Sequence, residues 1–117
     1  MREALVRVHG VAAAVLTESV DRREYRFVYL DDYQGPPVSL ALPLTMGPFV
    51  FDRFPPFFDG LLPEGAQLEA LLRAVKLDRE DCLGQLLAVG ADLVGAVTVE
   101  PWTPNLEPTG SEAEAQP

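Results

Sequence analysis

The sequence predicts an α+β domain: a small, mostly antiparallel sheet, about three short helices inserted before its last strand, and a disordered acidic C-terminal tail. Three observations predict it. Alternating or β-branched stretches crowd the first 42 residues, leucines at helical spacing fill the middle, and a strand-like VGAVTV follows at Val94–Val99. Strands, then helices, then a strand place the helices as an insertion packed on one face of the sheet.

Ala4–His9 alternates apolar and polar residues and reads as a half-buried strand; Gly10 turns it into Val11–Ser19, giving an N-terminal hairpin. Ser19–Glu24 is a charged turn, and Tyr25–Leu30, aromatic and β-branched, is a third strand. Asp31–Pro37 is a loop by its turn chemistry, Val38–Leu42 a short strand ended by Pro43, and Thr45–Phe51 irregular around Gly47-Pro48.

The segment Phe54–Gly65, FPPFFDGLLPEG, organises the rest. Pro55 and Pro56 open a short helix, since proline is tolerated in the first turn. Phe54, Phe57, Phe58, Leu61 and Leu62 then recur on one apolar face, and Pro63 closes or kinks the helix. Gln67–Val75 is amphipathic through Leu68, Leu71, Leu72 and Val75. Asp78 is the expected N-cap of a third helix, with Glu80 and Asp81 in its first turn and Leu83, Leu86 and Leu87 on its buried face. Gly90 is expected to close it in the left-handed conformation, and Gly95 to mark a bulge or close backbone approach in the last strand. Residues 101–117, with four prolines and no periodicity, read as a disordered tail; residues 1–100 form one domain.

Composition narrows the function classes. The chain has 117 residues, 48% of them hydrophobic, and no apolar run of membrane-spanning length. Its single Cys82 excludes an internal disulfide, and its N-terminus lacks a signal region, so a cytoplasmic location is expected. The net charge is −9, which disfavours direct nucleic-acid binding and suits a basic protein partner as well as simple solubility.

Catalytic readings fail on inventory. Lys76 is the sole lysine, and neither phosphate-binding glycine pattern is present; Gly90 and Gly95 are followed by Ala96 and Val97 where a phosphate loop needs Lys and Ser or Thr. His9 and Cys82 are alone of their types, too few for a nucleophile–base pair with an orienting group or for a metal site. Asp59 and Glu64 form a carboxylate pair five residues apart, more simply read as a solvent-facing acid and a first-turn acid. No cofactor, metal or catalytic residue is expected.

Three blocks carry a family resemblance: GPPVSLALPL (Gly35–Leu44), PPFFDGLLPEG (Pro55–Gly65) and LLAVGADLVGAVTV (Leu86–Val99). In this order the chain resembles, over roughly residues 1–100, the first N-terminal subdomain of HipA-type serine/threonine kinases, toxins of bacterial toxin–antitoxin systems. In that family the ATP site and catalytic residues lie in later subdomains. A stand-alone copy resembles HipS, the small antitoxin of three-part HipBST systems. The resemblance implies a non-catalytic protein that binds and neutralises a HipT/HipA-type kinase, with a helix-turn-helix HipB-like repressor as a further partner. The alternatives are a detached subdomain of a split kinase, needed for the partner's folding or activity, and a piece of a full kinase. Where stand-alone members often carry a large aromatic after Pro-Glu-Gly, this chain has Ala66, which removes an aromatic plug at that point.

The candidate partner-binding residues are Phe57, Phe58, Asp59, Leu61, Glu64, Ala66 and Trp102. An aromatic stripe at helical spacing is first of all core; whatever Pro55 and Pro56 hold at the surface forms an apolar patch that wants a partner. Trp102 either folds back to cap the core or anchors an interface.

Overall fold

The alternation at the start of the chain becomes a hairpin. Strands β1 (Arg2–Val8) and β2 (Val11–Glu18) pair antiparallel across His9 and Gly10, whose φ angles are 51° and 80°. Two left-handed residues make the two-residue turn whose twist matches a right-handed hairpin; glycine enters it without strain, and histidine is among the side chains that tolerate it. His9 is therefore a turn residue rather than the end of β1, and its N–H bonds the Ala96 carbonyl at 2.8 Å. The computed structural model describes residues 1–45, 47–93 and 95–102.

Strand β3 (Tyr25–Tyr29) pairs with β2, β4 (Phe49–Phe51) with β3, and β5 (Val97–Pro101) returns to β1. The sheet is five-stranded and antiparallel, in the order β4-β3-β2-β1-β5. Helices α1 (Pro56–Asp59), α2 (Gly65–Val75) and α3 (Cys82–Val89) lie between β4 and β5, and a 3₁₀ turn (Gly90–Asp92) follows α3. This is the expected α+β fold with its helices inserted before the last strand.

Directly paired residues face the same way, so the register reads out the core. One row crosses the sheet as Ala4, Leu16, Phe27 and Phe49; the next as Val99, Val6, Ala14 and Tyr29. Ala4, Leu16, Phe27, Val6 and Ala14 are wholly inaccessible to solvent, as are Phe58, Leu83 and Leu86 from the helices above them. A bulge between Val6 and Arg7 inserts Ala13, whose carbonyl accepts from the Leu30 N–H.

Several expectations change. Val38–Leu42 is not a strand: the Val38 N–H bonds the Tyr29 hydroxyl, the Leu42 N–H bonds the Ser39 carbonyl, and the Tyr29 hydroxyl donates to the Leu42 carbonyl. Its backbone is consumed by a turn pinned to Tyr29, leaving nothing for a ladder. Within the segment read as irregular, Phe49–Phe51 forms β4. Helix α1 ends at Gly60, before Leu61 and Leu62, which sit in turns closed onto Phe58 and Asp59. The N-cap of α3 is Asp81, whose carboxylate accepts from the Gly84 N–H at 3.0 Å; Asp78 to Asp81 is a turn preceding it.

The two glycines exchange roles. Gly90 has right-handed geometry (φ −58°), and a Cβ there would stand 1.9 Å from the Val99 carbonyl oxygen, so it is the site of close approach. Gly95, before β5 rather than within it, has φ +106° and open space around it, so it is the conformational glycine. Pro101 closes β5 and the Trp102 N–H bonds the Glu3 carbonyl, so the ladder runs past residue 100. The expected tail beyond Trp102 lies outside the described residues.

Candidate interaction surface

Two phenylalanines fasten the central segment to the sheet. The Phe54 ring meets Tyr25 edge-on at 5.4 Å, and Phe58 packs on Phe27 at 5.8 Å. Pro55 is itself buried, so only Pro56 of the pair is at the surface. Burying the Phe58 side chain contributes about 1.5–3 kcal/mol, which suits an anchor beneath the segment. Phe57 stands edge-on to Phe58 at 5.1 Å and is half-exposed above it.

The candidate residues therefore separate. Phe58 is core. Phe57 and Leu61 are half-buried, and Asp59, Glu64 and Ala66 are exposed along one continuous stretch from α1 to the start of α2. Trp102 does not join them. Its N–H extends the ladder onto Glu3, and it lines a shallow depression of about 340 Å³ with Val15, Thr17 and Val28, on the sheet face away from the helices.

Helix α2 continues the stretch. None of its residues is buried: Leu68, Leu71 and Leu72 are half-covered, and Val75 is 44% exposed. On its outer side Ala66, Ala70 and Ala74 recur every fourth residue with no bulk above them. An ion pair from Arg79 to Glu69 ties the helix to the following loop. This is an amphipathic helix with its apolar stripe only half used, bordered by the carboxylates of Asp59 and Glu64.

A polar cluster beside it escaped sequence reasoning. Arg2, Glu18 and Tyr25 form one cross-strand row at the edge of the helix-covered face. The Arg2 guanidinium donates to Glu18 Oε1 at 2.8 Å and to Asp81 Oδ1 at 2.7 Å, and the Tyr25 hydroxyl donates to Glu18 Oε2 at 2.8 Å. The N-cap of α3 is thus clasped to the first strand. Burial alone pushes the Asp81 carboxyl up, but the bonds from Arg2 and the Gly84 N–H outweigh it and hold it below the usual carboxylate range. The bonds to Asp81 and Glu18 raise Arg2 against its partial burial, and burial followed by the bond to Glu18 raises Tyr25. The signal available was the two-residue period of β1 and β2, which continues inward through Arg2 and Glu18.

Burial, then the charges of Asp59, Asp81 and Glu18, push the half-buried Cys82 thiol up, the direction opposite to that of an activated thiolate. Among the described residues no three His, Cys, Asp or Glu side chains converge as metal ligands, and no helix is long and apolar enough to cross a membrane. What the α1–α2 stretch offers is contact area: aliphatic and aromatic surface with a carboxylate rim.

Comparison with known proteins sets this geometry in a lineage. A family model described as the HipA N-terminal domain matches residues 4–100. An uncharacterised protein of Haemophilus influenzae is 34% identical over 100 residues, spanning 86% of this chain and 92% of its own length. A putative kinase of Sinorhizobium fredii is 37% identical over 107 residues, but the chain spans only 26% of it; of a second putative kinase from the same organism, 34% identical, it spans 18%. Among solved structures, the N-terminal domain of a HipA toxin superposes with a TM-score of 0.71 at 31% identity, covering 89% of this chain and 95% of that one. The Shewanella oneidensis HipA, solved with HipB and its operator DNA, shares the fold with a TM-score of 0.67 at 20% identity, and the match covers 25% of that chain.

Proposed function

The chain belongs to the HipA N-terminal domain family, and from that premise we propose that it is a non-catalytic, antitoxin-like protein that binds and neutralises a HipT/HipA-type serine/threonine kinase. The observation that carries this reading is α2: its leucines find only half their cover within the domain. Exposed apolar surface of this kind, following Phe57 and Leu61 along the chain, is what a partner is needed to bury. The carboxylates of Asp59 and Glu64 add a rim that favours encounter with a basic surface. With Ala66 at the start of α2, occlusion is spread over a helix face rather than delivered by one inserted ring.

Suppression requires that the chain bind the inactive state of the kinase more tightly than the active one. In this reading the complex is cytoplasmic, a HipB-like helix-turn-helix repressor joins it, and the chain itself makes no nucleic-acid contact. A second reading has the same surface completing a split kinase, and the longer putative kinases, in which the match is confined to 26% and 18% of their own length, favour it. Autophosphorylation of the cognate kinase, measured with and without the chain in excess, separates the two. Suppression with co-elution supports neutralisation, and enhanced incorporation replaces it with the split-kinase reading.

A further inference from the structure

A second concave surface lies away from α1 and α2. A cavity of about 530 Å³ opens between the β1–β2 turn and the loop after β3. This lies within the range of about 300–1,000 Å³ of pockets that take a drug-sized group. Its floor is aliphatic, from Val8, Val11, Ala12 and Leu30, and Val11 is 57% exposed although it begins a strand whose interior is covered.

The wall is pre-organised. Tyr33 stacks on Tyr29 with the rings 6.1 Å apart and within 5° of parallel, and its hydroxyl closes the loop by donating to the Pro36 carbonyl. Tyr29 is held in turn by the Val38 N–H and the Leu42 carbonyl. Gly35 leaves the space the Tyr33 phenol occupies; a Cβ there would stand 2.6 Å from its oxygen. A rigid aromatic wall over an aliphatic floor costs little ordering entropy on binding. At the rim, Asp32 is exposed and makes no ion pair or hydrogen bond among the described residues, and His9 stands opposite.

We infer that this groove docks an extended segment of a partner protein carrying an arginine or lysine beside apolar residues. The aliphatic floor takes the apolar side chains, the Tyr33 ring takes the flat face of the chain or the cation, and Asp32 pairs with the charge. The sign follows from the molecule: its net charge is −9, and the groove contributes a carboxylate and no lysine or arginine. The site is independent of α1–α2, so it stands or falls separately from kinase neutralisation.

The test is a titration of the full-length ¹⁵N-labelled chain with the capped peptide Pro-Pro-Arg-Leu-Pro, followed by amide chemical shifts. Shifts confined to residues 8–12 and 30–36, weakened about two- to fivefold by Asp32→Asn, support the proposal; that factor is the worth of one exposed charge pair. Replacing the peptide's arginine with glutamate should weaken them further than Asp32→Asn does, because it adds repulsion to the lost pair. Asp32 is exposed, so this variant folds, and Val11→Lys tests the floor separately. Absence of shifts at millimolar peptide, shifts centred on α1–α2, or equal binding of the glutamate peptide overturns it.

Discussion

Helices α2 and α3 are neighbours in sequence and opposites in how they are held. Helix α3 is fixed at both ends. Asp81 caps its first turn and is clasped by Arg2 across the sheet, Gly90 presses against the Val99 carbonyl, and Leu83 and Leu86 are wholly buried between. Helix α2 has no buried residue, and its link to the next loop is a surface ion pair. Both helices have leucines at helical spacing, so apolar pattern alone does not determine depth. What differs is the presence of residues that permit close approach: Gly84 beneath the Asp81 carboxylate and Gly90 beneath β5. A helix that is clamped supports the fold; one that is laid on retains surface for something else.

Substitutions of decreasing severity test this contrast. Phe58→Ala, removing the anchor under the central segment, should cost about 3–5 kcal/mol, read as a lowered urea midpoint. Gly90→Ala should follow at about 3 kcal/mol, because the obstruction is backbone and β5 must move. Asp81→Ala should cost about 2 kcal/mol through the lost cap, with Glu18→Gln a smaller effect on the same clasp. If α2 leucines proved as costly as Phe58, the division into clamped and laid-on helices would be broken. The expectation is that Leu71→Ala costs about 1 kcal/mol and Val75→Ala under about 0.5 kcal/mol, while Leu71→Glu abolishes co-elution with the kinase.

Acid unfolding sharpens the same contrast. The Asp81 carboxyl titrates below its ordinary value of 3.8 in the folded chain. Folding therefore favours its ionised form, and that stabilisation is fully present above about pH 4 and lost as pH falls through the lower folded value. Urea midpoints measured at neutral pH and near pH 3 should show a smaller loss in Asp81→Asn than in the parent chain. An unchanged acid limb would mean the clasp does not hold α3.

The first three strands were legible because their residues are β-branched, aromatic and alternating, with unambiguous turns between them. Strand β4 was not, since three residues after a Gly-Pro pair give no period to read. Val38–Leu42 misled because its two buried residues are four apart and owe their position to the Tyr29 hydroxyl; Leu40 between them is 95% exposed. Asp78 and Asp81 are both acceptable cap residues in sequence, and the missing side chain at Gly84 leaves room for the carboxylate of the second. The interaction stretch was legible as a stretch, but spacing does not tell which of two adjacent phenylalanines turns inward. The clasp was out of reach because its partners are 16 and 79 residues apart.

The return of β5 to β1 has a consequence for the genetics of the domain. The Trp102 N–H reaches the Glu3 carbonyl at 3.0 Å, so the chain enters and leaves the sheet on adjacent strands at the same end. A module with its two ends side by side can be appended to, inserted in or released from a longer polypeptide without unpicking a single strand pair. That portability gives a mechanical reason why one fold is matched both by a small protein of its own length and by a fraction of much longer putative kinases. It also marks the His9–Gly10 turn as a place to open the chain: a circular permutant of residues 1–102, with Trp102 joined to Met1 by a short linker, should keep the same sheet order.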